Sequence, residues 1–211
     1  MTTRLKGQSG APSRRRARAV ESFKSAAECI GPIEPEMALF AITRGQFSMI
    51  DCILHTIDQL GPCHVAFWTW VIADYEVECV DRLRIDDRIL SARMMIDPSA
   101  RKGPVLERWA ERFGAESVRL VTNHAKIARV WNDKLRVLIR GSMNLNFNPR
   151  FEQLDVTEGG GDFELVREIE DELPILPLDA PISAVTAASK IGQAFEPQTL
   201  KLFRGLKTWK P

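Results

Sequence analysis

Asn123-His124-Ala125-Lys126-Ile127-Ala128-Arg129-Val130 and Leu135-Arg136-Val137-Leu138-Ile139-Arg140, the second running into Gly141-Ser142-Met143-Asn144, are the stretches on which the reading of this chain turns. Both are largely apolar runs of strand length, and Asn132-Asp133 between them is good turn chemistry, so the pair reads as a β-hairpin. Residues two apart on a strand share a face. His124 and Lys126 are therefore expected side by side, with Ser142 and Asn144 returned to the same end of the sheet.

An imidazole, an ammonium and an amide at one point suit a phosphodiester. Lys126, Ser142 and Asn144 are candidates to hold its non-bridging oxygens and stabilise charge in the transition state. A neutral imidazole at His124 can attack phosphorus. The leaving alkoxide then needs a proton, a task suited to a second histidine. The only others are His55 and His64, and neither repeats the motif. Gly141 is expected to permit an unusual backbone angle.

His124-Ala125-Lys126 followed by Gly141-Ser142-Met143-Asn144 resembles the signature half-site of the phospholipase D superfamily, the HKD-type phosphodiesterases and nucleases. The resemblance implies that one histidine attacks, that its mate across a two-fold axis protonates the leaving group, and that no metal or other cofactor is needed. With one half-site in the chain, it also implies a homodimer sharing one site, the commonest oligomer symmetry in any case. The superfamily's Asn-x-Glu element would give Glu152 the role of orienting the imidazole, fixing its tautomer. Trp131 stands where the superfamily places an aspartate, and Asp133 falls two residues later in the turn. That departure supports an alternative, a non-catalytic nucleic-acid-binding or assembly module on the same fold.

Outside the hairpin the pattern is α/β. Met37 to Thr43, His64 to Ile72, Ile89 to Asp97 and Ser117 to Val121 read as strands. Phe47, Ile50, Ile53, Leu54, Ile57 and Leu60 mark a helix ended by Gly61-Pro62. Tyr75 to Leu83 and Pro104 to Phe113 read as two more. Alternating strands and helices predict a mixed, largely parallel sheet with helices on both faces, similar to one half of the phospholipase D fold. Sites in such sheets lie at the carboxyl ends of the parallel strands. That singles out Arg44, Arg101 and Lys102 as phosphate-path candidates and Trp70 as a base-stacking one. The plainer reading of each is a solvated loop charge or a core tryptophan.

The 211 residues, 45% hydrophobic and 27% charged, suit one domain with tails. Residues 1–30 read as a basic, disordered arm, in which Arg14, Arg15 and Arg16 could bind nucleic-acid phosphates. The domain is expected over 31–173. A proline-containing linker and a basic tail with Lys201, Arg204, Lys207 and Lys210 follow over 174–211. Glu164 to Glu172 looks like an exposed acidic helix, and Ile182 to Ala194 like one more short helix. The net charge of +1 conceals this segregation. Four cysteines without C-x-x-C spacing, and no signal or transmembrane run, indicate a cytoplasmic setting without a zinc site. The expected activity is thus metal-independent cleavage of DNA or RNA. With no membrane-docking segment evident, lipid hydrolysis is disfavoured.

Overall fold

The computed structural model describes residues 14–18, 24–102, 104–145 and 150–189. Its helices are α1 (Ala26–Ile30), α2 (Met49–Leu60), α3 (Asp74–Ile85), α4 (Val105–Phe113), α5 (Gly161–Glu172) and α6 (Ile182–Ala188). Its strands are β1 (Arg14–Arg18), β2 (Met37–Thr43), β3 (Cys63–Thr69), β4 (Ile89–Ile96), β5 (Val118–Leu120), β6 (Lys126–Trp131), β7 (Arg136–Gly141) and β8 (Glu152–Glu158). The strands form one sheet in the order β1-β2-β8-β7-β6-β3-β4-β5.

The sheet is mixed rather than largely parallel. β1/β2, β3/β4 and β4/β5 are parallel, while β2/β8, β8/β7, β7/β6 and β6/β3 are antiparallel. The cause is local. β6 and β7 are joined by a tight turn in which Asn132 Oδ1 accepts from the N–H groups of Lys134 (2.9 Å) and Leu135 (3.1 Å). A connection that short makes an antiparallel pair, and the hairpin with β8 lies between β2 and β3. As a result β6 and β8 run against the other strands. Their first residues share an edge with the last residues of β2, β3, β4 and β7.

Alternate strand positions face opposite sides, and each side is covered. Val65, Phe67, Ala128, Val130, Val137 and Ile139 pack in one cluster with Ile50, Ile53 and Ile57 of α2, Val77 of α3 and Trp109 of α4. On the other side Leu138, with Trp68, Ile127 and Trp131, meets Phe163 and Val166 of α5. α2 is held at its start by a capping box, with Asp51 Oδ2 accepting from the Ser48 N–H at 2.7 Å. It ends at Gly61, whose φ of 77° few other residues adopt.

Three boundaries differ from the sequence reading. Arg14–Arg18 is an edge strand paired in register with Met37 to Ala41. α1 buries Cys29 and Ile30, so the domain begins before residue 31. Past Leu173 the chain is no free linker. Ala180 and the α6 residue Val185 are buried in the main core, and the Thr122 N–H donates to Ser189 Oγ at 2.8 Å. The acidic helix α5 is also not simply exposed, since Glu170 is fully buried, as described below. Residues 1–13 and the tail residues Lys201, Arg204, Lys207 and Lys210 lie outside the described residues. Among the described residues no helix is long and apolar enough to cross a membrane.

Candidate functional site

Five residues singled out from the sequence converge on the shared edge. Lys126 opens β6 and lies opposite Gly141, the last residue of β7. Glu152 opens β8, paired with Thr43 at the end of β2. His124 precedes β6, and Ser142 and Asn144 follow β7.

His124 is not on the strand. Asn123 shapes the approach, its Oδ1 accepting from the Ala125 N–H at 2.7 Å and its Nδ2 donating to the Thr69 carbonyl at 3.2 Å. The imidazole is exposed, and Lys126 curls back onto it. Nζ donates to the His124 carbonyl at 2.7 Å and lies 3.1 Å from Nδ1 and 3.3 Å from Nε2. An ammonium has only donors, so the ring nitrogen facing it accepts. Lys126 is only 7% exposed. Burial lowers its pKa from the ordinary lysine value, and the nearby Glu152 carboxylate opposes that shift in part.

Glu152 is not bonded to His124. Its carboxylate accepts the Ser142 hydroxyl proton, and Ser142 Oγ in turn accepts the Gln153 N–H at 2.9 Å. The serine thus braces the glutamate. Gly141 has no positive φ, contrary to expectation. It is required because a Cβ there would collide with the Gln153 carbonyl oxygen of the neighbouring strand. Asn144 sits between the buried anchors Met143 and Leu145, and its carbonyl accepts from the Met49 N–H at 3.4 Å. Its side-chain Oδ1 is buried without a partner. A polar group left so is costly unless a ligand satisfies it.

At the β4 end of the edge, sequence reasoning singled out Arg101 and Lys102 but missed Asp97. Asp97, just past β4, accepts the N–H groups of Ser99 (2.9 Å) and Asn123 (3.1 Å). Burial alone would raise the Asp97 pKa. The Ser99 and Asn123 hydrogen bonds, with a contribution from His124, outweigh burial and hold it below the usual aspartate value. Position at a strand's carboxyl end was the available signal. Trp70, just past β3, is 42% exposed. Its Nε1 donates to Ser99 Oγ at 3.0 Å, and its ring centroid is 5.4 Å from that of His124. Arg44, at the β2 end, is exposed, with its guanidinium carbon 5.1 Å from the Phe151 ring centroid. Arg101 and Lys102 belong to a short 3-10 turn, Pro98–Lys102, after β4. The backbone of Arg14, Arg15 and Arg16 lies in β1 at the sheet's far edge.

The remaining histidines are elsewhere. His55 Nε2 pairs with the Gly31 carbonyl at 2.8 Å, and His64 stacks on Trp131 with centroids 5.4 Å apart. Trp131 itself closes β6 at its far end. Five residues at about 3.3 Å each put it roughly 16 Å from Lys126, on the opposite face of the strand. There it packs against Phe163 and Arg129. Arg129 is 2% exposed and is ion-paired with Glu170, which also accepts from Trp68 Nε1 at 2.9 Å. A cleft of about 470 Å³ lies at that distant end, lined in part by Arg93, Trp131, Arg136 and Arg167. Among the described residues no three His, Cys, Asp or Glu side chains are grouped as a metal ion requires.

No family model matches the chain, and no curated protein matches it.

Proposed function

We infer that the chain is one half of a two-fold phosphodiesterase of phospholipase D type, acting on DNA or RNA. The convergence of His124, Lys126, Ser142, Asn144 and Glu152 on one edge, from three strands, is the observation that carries this reading. As the Lys126 ammonium turns from the ring to the phosphate, the freed nitrogen of His124 attacks phosphorus, the P–O bond to the leaving oxygen breaks, and the partner's His124 gives that oxygen its proton. The partner's imidazole then takes a proton from water, whose oxygen displaces His124 and completes hydrolysis. Lys126 and the Asn144 amide, turned to present its NH2, hold the non-bridging oxygens. Glu152, braced by Ser142, keeps negative charge near the Lys126 ammonium.

The need for a second chain follows from placement. His55 and His64 are engaged far from the edge, so a two-histidine mechanism draws its acid from a second copy. The departure at Trp131 lies at the wrong end of β6 to touch a phosphate bound at Lys126, which removes the support it lent to a non-catalytic module.

The test is cleavage of labelled single- and double-stranded DNA and RNA in excess EDTA, by wild type and by His124→Ala. The reading expects wild-type turnover, a loss of about 10³-fold or more in the variant, and an acid-labile phosphoryl adduct on His124 after rapid quenching. A monomer in light scattering at working concentration, or equal rates for the two proteins, would sink it.

A further inference from the structure

Two aromatic rings stand in water on the reacting edge, one on each side of His124. Trp70 lies at the end of β3, the neighbour of β6, and Phe151 immediately precedes β8, two strands away on the other side. At about 4.8 Å per strand the strand ends that carry them are roughly 14 Å apart along the edge, with Lys126 and His124 between them. Phe151 is 66% exposed, and the Arg44 guanidinium lies over its ring. Trp70 does not hang free. Its indole N–H is tied to Ser99 and its ring leans on His124, while 42% of the residue stays exposed.

Large exposed aromatics are unfavourable in water unless something covers them. Lys126 and Arg44, between and beside them, offer a polyanion positive charge, offset in part by the Glu152 and Asp97 carboxylates on the same edge. Rings and cations alternating along one line match a phosphate backbone that carries bases at intervals, and bases can stack on such rings only when they are free of a duplex. We propose that the edge is a binding trough for a single-stranded polynucleotide, in which bases on either side of the phosphate at His124 stack on Trp70 and on Phe151. The proposal rests on the phosphodiesterase reading and names its substrate class. The Arg44 side chain supplies a backbone contact beyond Phe151.

Binding is read by fluorescence anisotropy on the full chain carrying His124→Ala, so that strands stay intact. The probes are a short labelled single strand, the same strand with abasic sugars throughout, and the same sequence as a duplex. Trp70→Ala and Trp70→Leu are each expected to weaken the single strand about tenfold, with Trp70→Phe staying within about twofold of the parent, because any aromatic face can stack. Phe151→Ala is expected to act in the same direction. The abasic strand should bind the parent and all variants alike.

Equal losses on the abasic strand or duplex would overturn the proposal, as would no loss on the single strand. So would a changed oligomeric state of Trp70→Ala in light scattering, which would assign the ring to contact between copies. Because no turnover is needed, the two readings fail separately. Trp70-dependent strand binding without cleavage by wild type would sink the phosphodiesterase and keep the trough. Cleavage of a base-free phosphodiester with indifference to Trp70 and Phe151 would do the reverse.

Discussion

Lys126 Nζ lies 2.7 Å from the carbonyl oxygen of His124 and within 3.3 Å of both nitrogens of the same residue's ring. One buried ammonium therefore holds the backbone of the loop that bears His124 and faces its imidazole. Lys126→Met is expected to lower kcat/KM on a phosphodiester by about 10²- to 10³-fold, the usual loss for one transition-state charge stabiliser. Lys126→Arg should not restore it, because a guanidinium fork is larger and differently shaped than the site of a near-buried ammonium. Wild-type rates in the methionine variant would show that the ammonium is not the phosphate clamp.

The lowered Lys126 pKa also has a direction in pH. On the proposed function the protonated form is the one that binds phosphate, so activity should be lost as pH rises through the folded-state pKa. The alkaline limb of kcat/KM is expected below the value for a free lysine, about 10.4. Removing the Glu152 charge, which opposes the shift, should move the limb further down. A pH–rate profile of wild type and Glu152→Gln checks both, and an upward move in the variant would contradict the assigned cause.

Asp97 ties the chain before His124 to the end of β4. Its folded pKa is depressed, so it contributes stability that is present above the unfolded value of about 3.9 and lost as pH falls through the folded one. Asp97→Asn should be less stable than wild type at pH 7 by about 1 kcal/mol, from weaker hydrogen bonds to the Ser99 and Asn123 amides. The gap should narrow as pH falls below about 4. Urea midpoints at pH 7 and pH 3 measure it, and a constant difference would assign the effect to packing.

The Arg129–Glu170 pair is nearly sealed from water, so breaking one side leaves a charge with no partner. Glu170→Gln is expected to cost about 3–5 kcal/mol in urea unfolding. Replacing both residues with methionine should recover most of that loss, leaving about 1 kcal/mol for the Trp68 N–H deprived of its acceptor. Additive single losses in the double variant would argue against a coupled pair.

Trp131→Asp restores the residue type that the sequence resemblance leads one to expect. It should not raise activity per folded molecule, because position 131 is at the far end of β6. It should lower stability by about 2 kcal/mol through lost burial and lost contact with Arg129. A gain in kcat/KM would mean that the far end of the strand reaches the site after all.

Elements with strong periodicity were legible. The apolar run Met37 to Thr43 and the stripe from Ile50 to Ile57 appear within a residue or two of where their spacing puts them. Elements decided by distant partners were not. Arg14–Arg18 has no apolar alternation, and it is a strand because β2 offers it an open edge. Glu170 reads as a solvated helix residue until Arg129, far back in the chain, is folded against it. Within the site, the residue types were legible but their pairings were not. The motif names Glu152, but only the β7/β8 register reveals that its partner is Ser142. Asp97 joins the edge because the segment after β5 passes back beside the end of β4.

β2 has β1 on one side, but on the other Met37–Thr43 finds its neighbour in Glu152–Glu158, more than a hundred residues later. Pairings of such sequence separation form slowly, since the loop must close before any contact repays it. On a ribosome the chain would emerge through β6 and β7 with His124 and Lys126 already made, yet β2 would still be waiting for its second partner. Glu152, which opens β8, would arrive with the strand that completes the sheet. The edge that bears His124 and Lys126 is therefore completed only with β8, and in a nascent chain Glu152 is added 28 residues after His124.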